Sequence, residues 1–125
     1  MPKQIKTERA PLSIGPYSQG IIANGLIFAS GQIGLDPRTG EITSPEVGAQ
    51  TRQVLENIKA VLQEGGSDLD RVVKSTVYLT DLADFSSFNQ VYATYFPHDP
   101  PARATVEVSR LPKGARVEIE VIAVI

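Results

Sequence analysis

The sequence predicts an α+β fold, a mixed six-stranded sheet with two helices packed on one of its faces. Three observations predict it. Two segments repeat apolar residues at three- to four-residue spacing, others alternate or are rich in β-branched residues, and the two kinds interleave without a linker. The chain has 125 residues, 42% of them apolar and 21% charged, a composition that buries one compact core. The expectation is therefore a single domain over residues 1–125.

Local signals predict the elements in order. QGIIANGLIFASGQIGL (19–35) holds two apolar runs joined by Asn24-Gly25. Both turn residues tolerate positive φ, so the pair predicts a tight hairpin. DPRTGE (36–41) is a second turn, with Pro37 where its fixed φ fits. The stretch 43–66 predicts the first helix: Ser44 as cap, Pro45 at the first helical position, Glu46 in the first turn. Val47, Thr51, Val54, Leu55, Ile58, Val61 and Leu62 form its buried face, and Gly65-Gly66 ends it. LDRVVKSTVYLT (69–80) reads as a strand on its β-branched content. DLADFSSFNQVYATYFP (81–97) predicts the second helix, capped by Asp81 or Asp84 and stopped by Pro97. Its buried stripe is Phe85, Phe88, Tyr92, Tyr95 and Phe96. After the stiff loop PHDPPA, RATVEVSR and ARVEIEVIAVI predict two final strands around the turn LPKG.

Composition removes several function classes. Net charge is −2 and the twelve Lys and Arg are scattered, which argues against the basic stripe of a nucleic-acid binder. Without cysteine there are no disulfides, thiol nucleophiles or thiolate metal sites. His98 is the single histidine, so one chain cannot build a histidine metal site, and a lone His98 supplies no Ser-His pair. MPKQIKTERAPLS lacks an apolar targeting core, and no apolar run approaches the ~18 residues of a membrane span. A cytoplasmic location away from membranes is expected.

Alternation along the last two strands suggests where a site lies. Ala104, Val106 and Val108 share one face, matched by Val117, Ile119, Val121, Ala123 and Ile125, and the helices are expected to cover it. The other face carries Arg103, Thr105, Glu107 and Ser109 beside Arg116, Glu118, Glu120, Ile122 and Val124. Ile122 and Val124 want cover, which predicts a homo-oligomer; the alternative is a solvated face with two exposed aliphatics. In a hairpin symmetric about Pro112-Lys113, Arg103 lies opposite Ile122 and Glu107 opposite Glu118. Arg103 and Glu118 then share a face at about 13 Å, too far for an ion pair. Either a ligand spans the gap or neighbouring subunits close it.

The chemistry of these residues is specific. Arg103 offers a planar fork matched to a carboxylate, although an arginine read alone is more often a structural ion-pair partner. Glu118, crowded by Glu107 and Glu120, is expected to titrate above the usual carboxylate range and to shuttle protons; an ion-pair role is again the alternative. IGPYSQG holds Tyr17 at the mouth of a strand, as a cleft residue or as a plain turn tyrosine. Gly31 inside a strand pattern marks a bulge or the close approach of a ligand.

APLSIGPYSQGI, FASGQIGLDPRTGEI, VVKSTVYLTDLADFSSFNQVYATYF and PPARATVEVSRLPKGARVEIEVIAV together closely resemble the RidA (YjgF) family of enamine/imine deaminases, in order over nearly the whole chain. The resemblance implies a chorismate-mutase-like fold and a homotrimer with clefts between subunits. It also implies hydrolysis of 2-iminopropanoate, 2-iminobutanoate and 2-aminoacrylate to 2-keto acids and ammonia, without metal or organic cofactor. By motif position it implies that Arg103 clamps the substrate carboxylate, Glu118 positions or activates water, and Tyr17 forms the cleft wall. Ser30, Gly31 and Asn89 correspond to further substrate-binding positions. So does Thr105, where relatives often carry cysteine. Other readings are a trimer that binds 2-keto acids without turnover, and an endoribonuclease or translation inhibitor.

Overall fold

The computed structural model describes residues 2–125. Six strands, β1 (Lys3–Ile5), β2 (Gly20–Ala23), β3 (Leu26–Gln32), β4 (Val72–Leu79), β5 (Ala102–Glu107) and β6 (Val117–Val124), form one sheet in the order β1-β2-β3-β6-β4-β5. Only β4 and β5 run parallel; the other neighbours are antiparallel. Two helices, α1 (Val47–Glu64) and α2 (Phe85–Tyr95), cover one face. Their apolar sides and the inward residues of β3, β4 and β6 share one buried cluster. The α+β architecture read from the sequence is the one observed.

The β2–β3 hairpin turns through Asn24 (φ 52) and Gly25 (φ 74), as its Asn-Gly predicts. All seven residues of the predicted α1 face are buried. The helix starts later than expected, however. Ser44 Oγ accepts from the Glu46 N–H at 3.1 Å in a tight turn, and Glu46 holds the cap position with no side-chain bond. At the other end Ser67 N–H reaches Leu62 O at 2.8 Å across Gly66 (φ 89), the glycine closure expected of the Gly-Gly pair.

Residues 69–71 are a 3-10 turn rather than strand, because the Asp68 carboxylate accepts from the Leu69 N–H at 2.7 Å and holds the chain curled. Asp81 caps a second 3-10 turn at Leu82–Asp84 through the Ala83 N–H. Asp84 precedes α2 but caps nothing; its carboxylate accepts from Arg116 at 2.7 and 2.8 Å. Phe88, Tyr92 and Phe96 are buried as expected, while Phe85 is 41% exposed.

The largest correction concerns the last two strands, which do not form a hairpin. β4 lies between β5 and β6. β4, α2 and β5 form a parallel crossover unit, and β6 fills the remaining edge of β4 antiparallel. Residues 108–116 therefore carry the chain past β4, with a 3-10 turn at Pro112–Gly114. In this register Ser75 pairs with both Arg103 and Val121, and Val77 with both Thr105 and Ile119. Arg103, Thr105 and Glu107 thus lie on the helix face, and Ala104 and Val106 on the open face, the reverse of the expectation. Glu118 lies on the open face. The sheet separates it from Arg103.

Candidate active site

Arg103 projects from the edge strand β5 beneath α2. Its guanidinium lies 4.7 Å from the centre of the Tyr92 ring, 5.4 Å from Phe88 and 5.6 Å from Phe85. The aromatic stripe of α2 is therefore both core and seat for a cation. Ion pairs among the described residues join Arg9 to Glu64, Arg38 to Asp36 and Arg116 to Asp84, and none uses Arg103. Its fork faces a depression that Asn89, Phe96 and Pro101 also line. Tyr92 is fixed beneath it by a 2.7 Å hydrogen bond with Ser75 Oγ, and burial pushes the Tyr92 hydroxyl pKa up. On the same face, Thr105 Oγ1 is buried without a hydrogen-bond partner. An unpaired buried hydroxyl costs about 1–3 kcal/mol.

A second group gathers where β3 meets β6. The pairing slips between Ala29 and Gln32, so Ser30 and Gly31 occupy a bulge. A Cβ on Gly31 would collide with Oε2 of Glu118 and lie 2.9 Å from its Cδ. Glycine is what lets the carboxylate settle there. Burial pushes the Glu118 pKa up and the Glu120 charge adds to the effect. Glu107, expected to contribute, does not: it lies on the other face and accepts from the Leu82 N–H at 2.9 Å.

Tyr17 shares a cleft with Gly31, Leu12 and Ile33. Tyr17 is 47% exposed, and its hydroxyl accepts from the Ile14 N–H at 3.3 Å. Two bonds tie this loop to the bulge: Ser30 Oγ donates to Ser18 O at 2.5 Å and Ser30 N–H to Gln19 O at 3.0 Å. Gln19 was missed in the sequence. Buried, it accepts from the Thr7 N–H at 2.7 Å and donates to Pro11 O at 2.8 Å, clasping the segment that leads to Tyr17. Its one signal was a polar residue at the head of an apolar run.

The seven expected residues thus form two groups: Arg103, Asn89 and Thr105 on the helix side of β5, and Tyr17, Ser30, Gly31 and Glu118 around the β3–β6 bulge. One chain does not bring them together. The open face between them exposes Phe28 and Val106 (43% and 42%), with Ile122 partly exposed beside Phe28.

A family model described as endoribonuclease L-PSP matches residues 7–125. A RutC family protein of Pyrococcus horikoshii is 56% identical over 123 residues, 98% of each chain. A rat protein named 2-iminobutanoate/2-iminopropanoate deaminase is 46% identical over 122 residues, 98% of this chain and 89% of that one. The crystal structure of E. coli TdcF with bound serine matches with a TM-score of 0.93 and 46% identity, covering 98% of both chains.

Proposed function

The chain belongs to the endoribonuclease L-PSP family, and on that premise we propose that it hydrolyses small 2-imino acids and their enamine forms to 2-keto acids and ammonia. 2-Iminopropanoate, 2-iminobutanoate and 2-aminoacrylate are the substrates that fit. The observation that carries this reading is Arg103, a guanidinium with no carboxylate partner among the described residues, seated on three aromatic rings beside an unpaired hydroxyl. That is the chemistry of a seat for an α-carboxylate. The name of the rat relative and the serine held by TdcF both point to small molecules of this class.

The site is completed in a homotrimer, by the β5 edge of one copy meeting the β3–β6 face of the next. Two features support this: the two residue groups lie on opposite sides of the sheet, and the open face is apolar. Arg103 and Thr105 hold the carboxylate, with Asn89 at the rim and Tyr17 as the opposite wall. Glu118 exchanges protons with the imine nitrogen and the attacking water. Water adds to the C=N carbon, and the resulting carbinolamine expels ammonia to leave the ketone. Positioning and one proton carrier suffice for a substrate that is already reactive.

The test generates 2-aminoacrylate from serine with a dehydratase and follows pyruvate release. The wild-type protein is expected to accelerate the last step. Arg103→Ala is expected to lose about 100-fold or more in kcat/KM, the equivalent of two charged hydrogen bonds, with its assembly state unchanged. No acceleration by folded wild-type protein overturns the proposal.

A further inference from the structure

Ser75 is the one polar residue among the buried positions of β4, where Val72, Val77 and Leu79 supply the rest. It is level with Arg103 on β5 and Val121 on β6, and none of its surface is exposed. Its Oγ lies 2.7 Å from the hydroxyl of Tyr92, which comes down from α2 and is itself only 5% exposed. Alanine and phenylalanine would fill nearly the same space without drawing two hydroxyls out of water. Burial alone therefore does not account for the pair.

Its neighbours suggest what it does. Tyr92 packs between Phe88 and Phe96, with ring centres 5.3 and 4.6 Å away and planes tilted by 42° and 37°. Apolar packing of this kind is non-directional, whereas the bond to Ser75 fixes how far the Tyr92 ring reaches across the sheet. Of the three rings beneath the Arg103 guanidinium, this one is the nearest, at 4.7 Å.

Arg103 needs such a seat. Its long side chain has many rotamers, and no carboxylate of its own chain pins it among the described residues. In the proposed assembly Glu118 of the neighbouring copy stands across the cleft. A guanidinium free to swing would close onto that carboxylate instead of receiving a substrate.

We propose that Ser75 and Tyr92 are positioning residues for Arg103: their hydrogen bond fixes the ring on which the guanidinium rests, and so holds the fork open to an incoming carboxylate. The identity of that carboxylate rests on the imine-hydrolysis reading. The positioning itself belongs to residues of one chain.

The test uses the full-length protein. Tyr92→Phe keeps the ring and removes the hydroxyl; Ser75→Ala removes its partner, and gives the same reading should Tyr92→Phe not fold. Arg103 is read by NMR with nitrogen-labelled arginine, Arg103→Lys identifying its Nε–H signal, and pyruvate binding is measured by calorimetry. Each variant is expected to move the Arg103 signal towards that of an exposed arginine. Each is also expected to weaken pyruvate binding about fivefold, the share of one neutral hydrogen bond. The double variant is expected to bind pyruvate no more weakly than either single one, because the two hydroxyls act as a unit. In imine hydrolysis KM is expected to rise while kcat holds. Glu118→Gln is expected to leave the Arg103 signal in place. Pyruvate binding unchanged in both folded single variants overturns the proposal, and so does an Arg103 signal that moves in Glu118→Gln but in neither of them. Wild-type protein that binds no pyruvate and hydrolyses no imine overturns the imine reading instead, and the Arg103 signal then decides the positioning by itself.

Discussion

At the scale of single residues, Gly31 and Glu118 are one feature seen from two strands. The carboxylate occupies the space a side chain on residue 31 would fill. Burial first, and the Glu120 charge second, raise the Glu118 pKa above its usual 4.5. The folded protein therefore holds this proton more tightly than the unfolded chain does. The stability linked to it is fully present below the ordinary carboxylate range and is lost as pH rises through the raised value. Glu118→Gln has no charge to bury. It is expected to unfold at higher denaturant than wild type near neutrality, with the gap closing as pH falls towards 4.5. Denaturant titrations across pH check this, and a gap independent of pH would sink the burial argument. The glycine was noticed in the sequence as a bulge signal. What it makes room for was not legible, because the bulge brings in a residue from 87 positions further along the chain.

Among elements, α2 carries the most consequence. Its Phe88 and Tyr92 seal the core and seat Arg103 at once, so the placement of its first turn decides the geometry of the fork. Arg116 holds that turn. It donates to Asp84 at 2.7 and 2.8 Å and to Pro45 O at 3.1 Å, joining the start of β6 to the starts of both helices. Asp84→Ala is expected to destabilise the fold by about 1 kcal/mol, a modest sum because the guanidinium is partly exposed. KM for the imine is expected to rise more than kcat falls, since the loss acts through the seat of Arg103. Denaturation and steady-state kinetics on one preparation separate the two effects. The sequence reading offered Asp81 or Asp84 as the cap, because helix starts favour aspartate; the ion pair of Asp84 with Arg116, 32 residues away, leaves no local trace.

For the whole molecule, the proposed trimer makes a distinctive prediction. Arg103 and Glu118 of one chain face opposite sides of the sheet, so each site takes Arg103 from one subunit and Glu118 from its neighbour. Arg103→Ala and Glu118→Gln are then each inactive alone. Refolded together in equal amounts, they are expected to recover about a quarter of wild-type activity, the chance that both partners at a site are intact. No recovery in a mixed assembly of confirmed composition would show that each chain works alone. The same preparations test the binding reading, in which 2-keto acids are held at Arg103 without turnover.

The site residues were assembled only by the family resemblance, while periodicity and turn chemistry alone determined the two helices and five of the six strands, the buried face of α1 and the Asn-Gly hairpin. These depend on neighbours within a few positions. Alternation in β5 also separated Arg103, Thr105 and Glu107 from Ala104 and Val106, correctly as sets. It could not say which set faces the helices, because both faces of this sheet carry apolar residues. That choice was made by the parallel pairing of β5 with β4, which places β4 between two strands that are consecutive in sequence. Pairing partners are chosen by how the whole sheet buries its area, and one residue of register turns every side chain over. So the tertiary structure alone decided that Arg103 and Glu118 lie back to back.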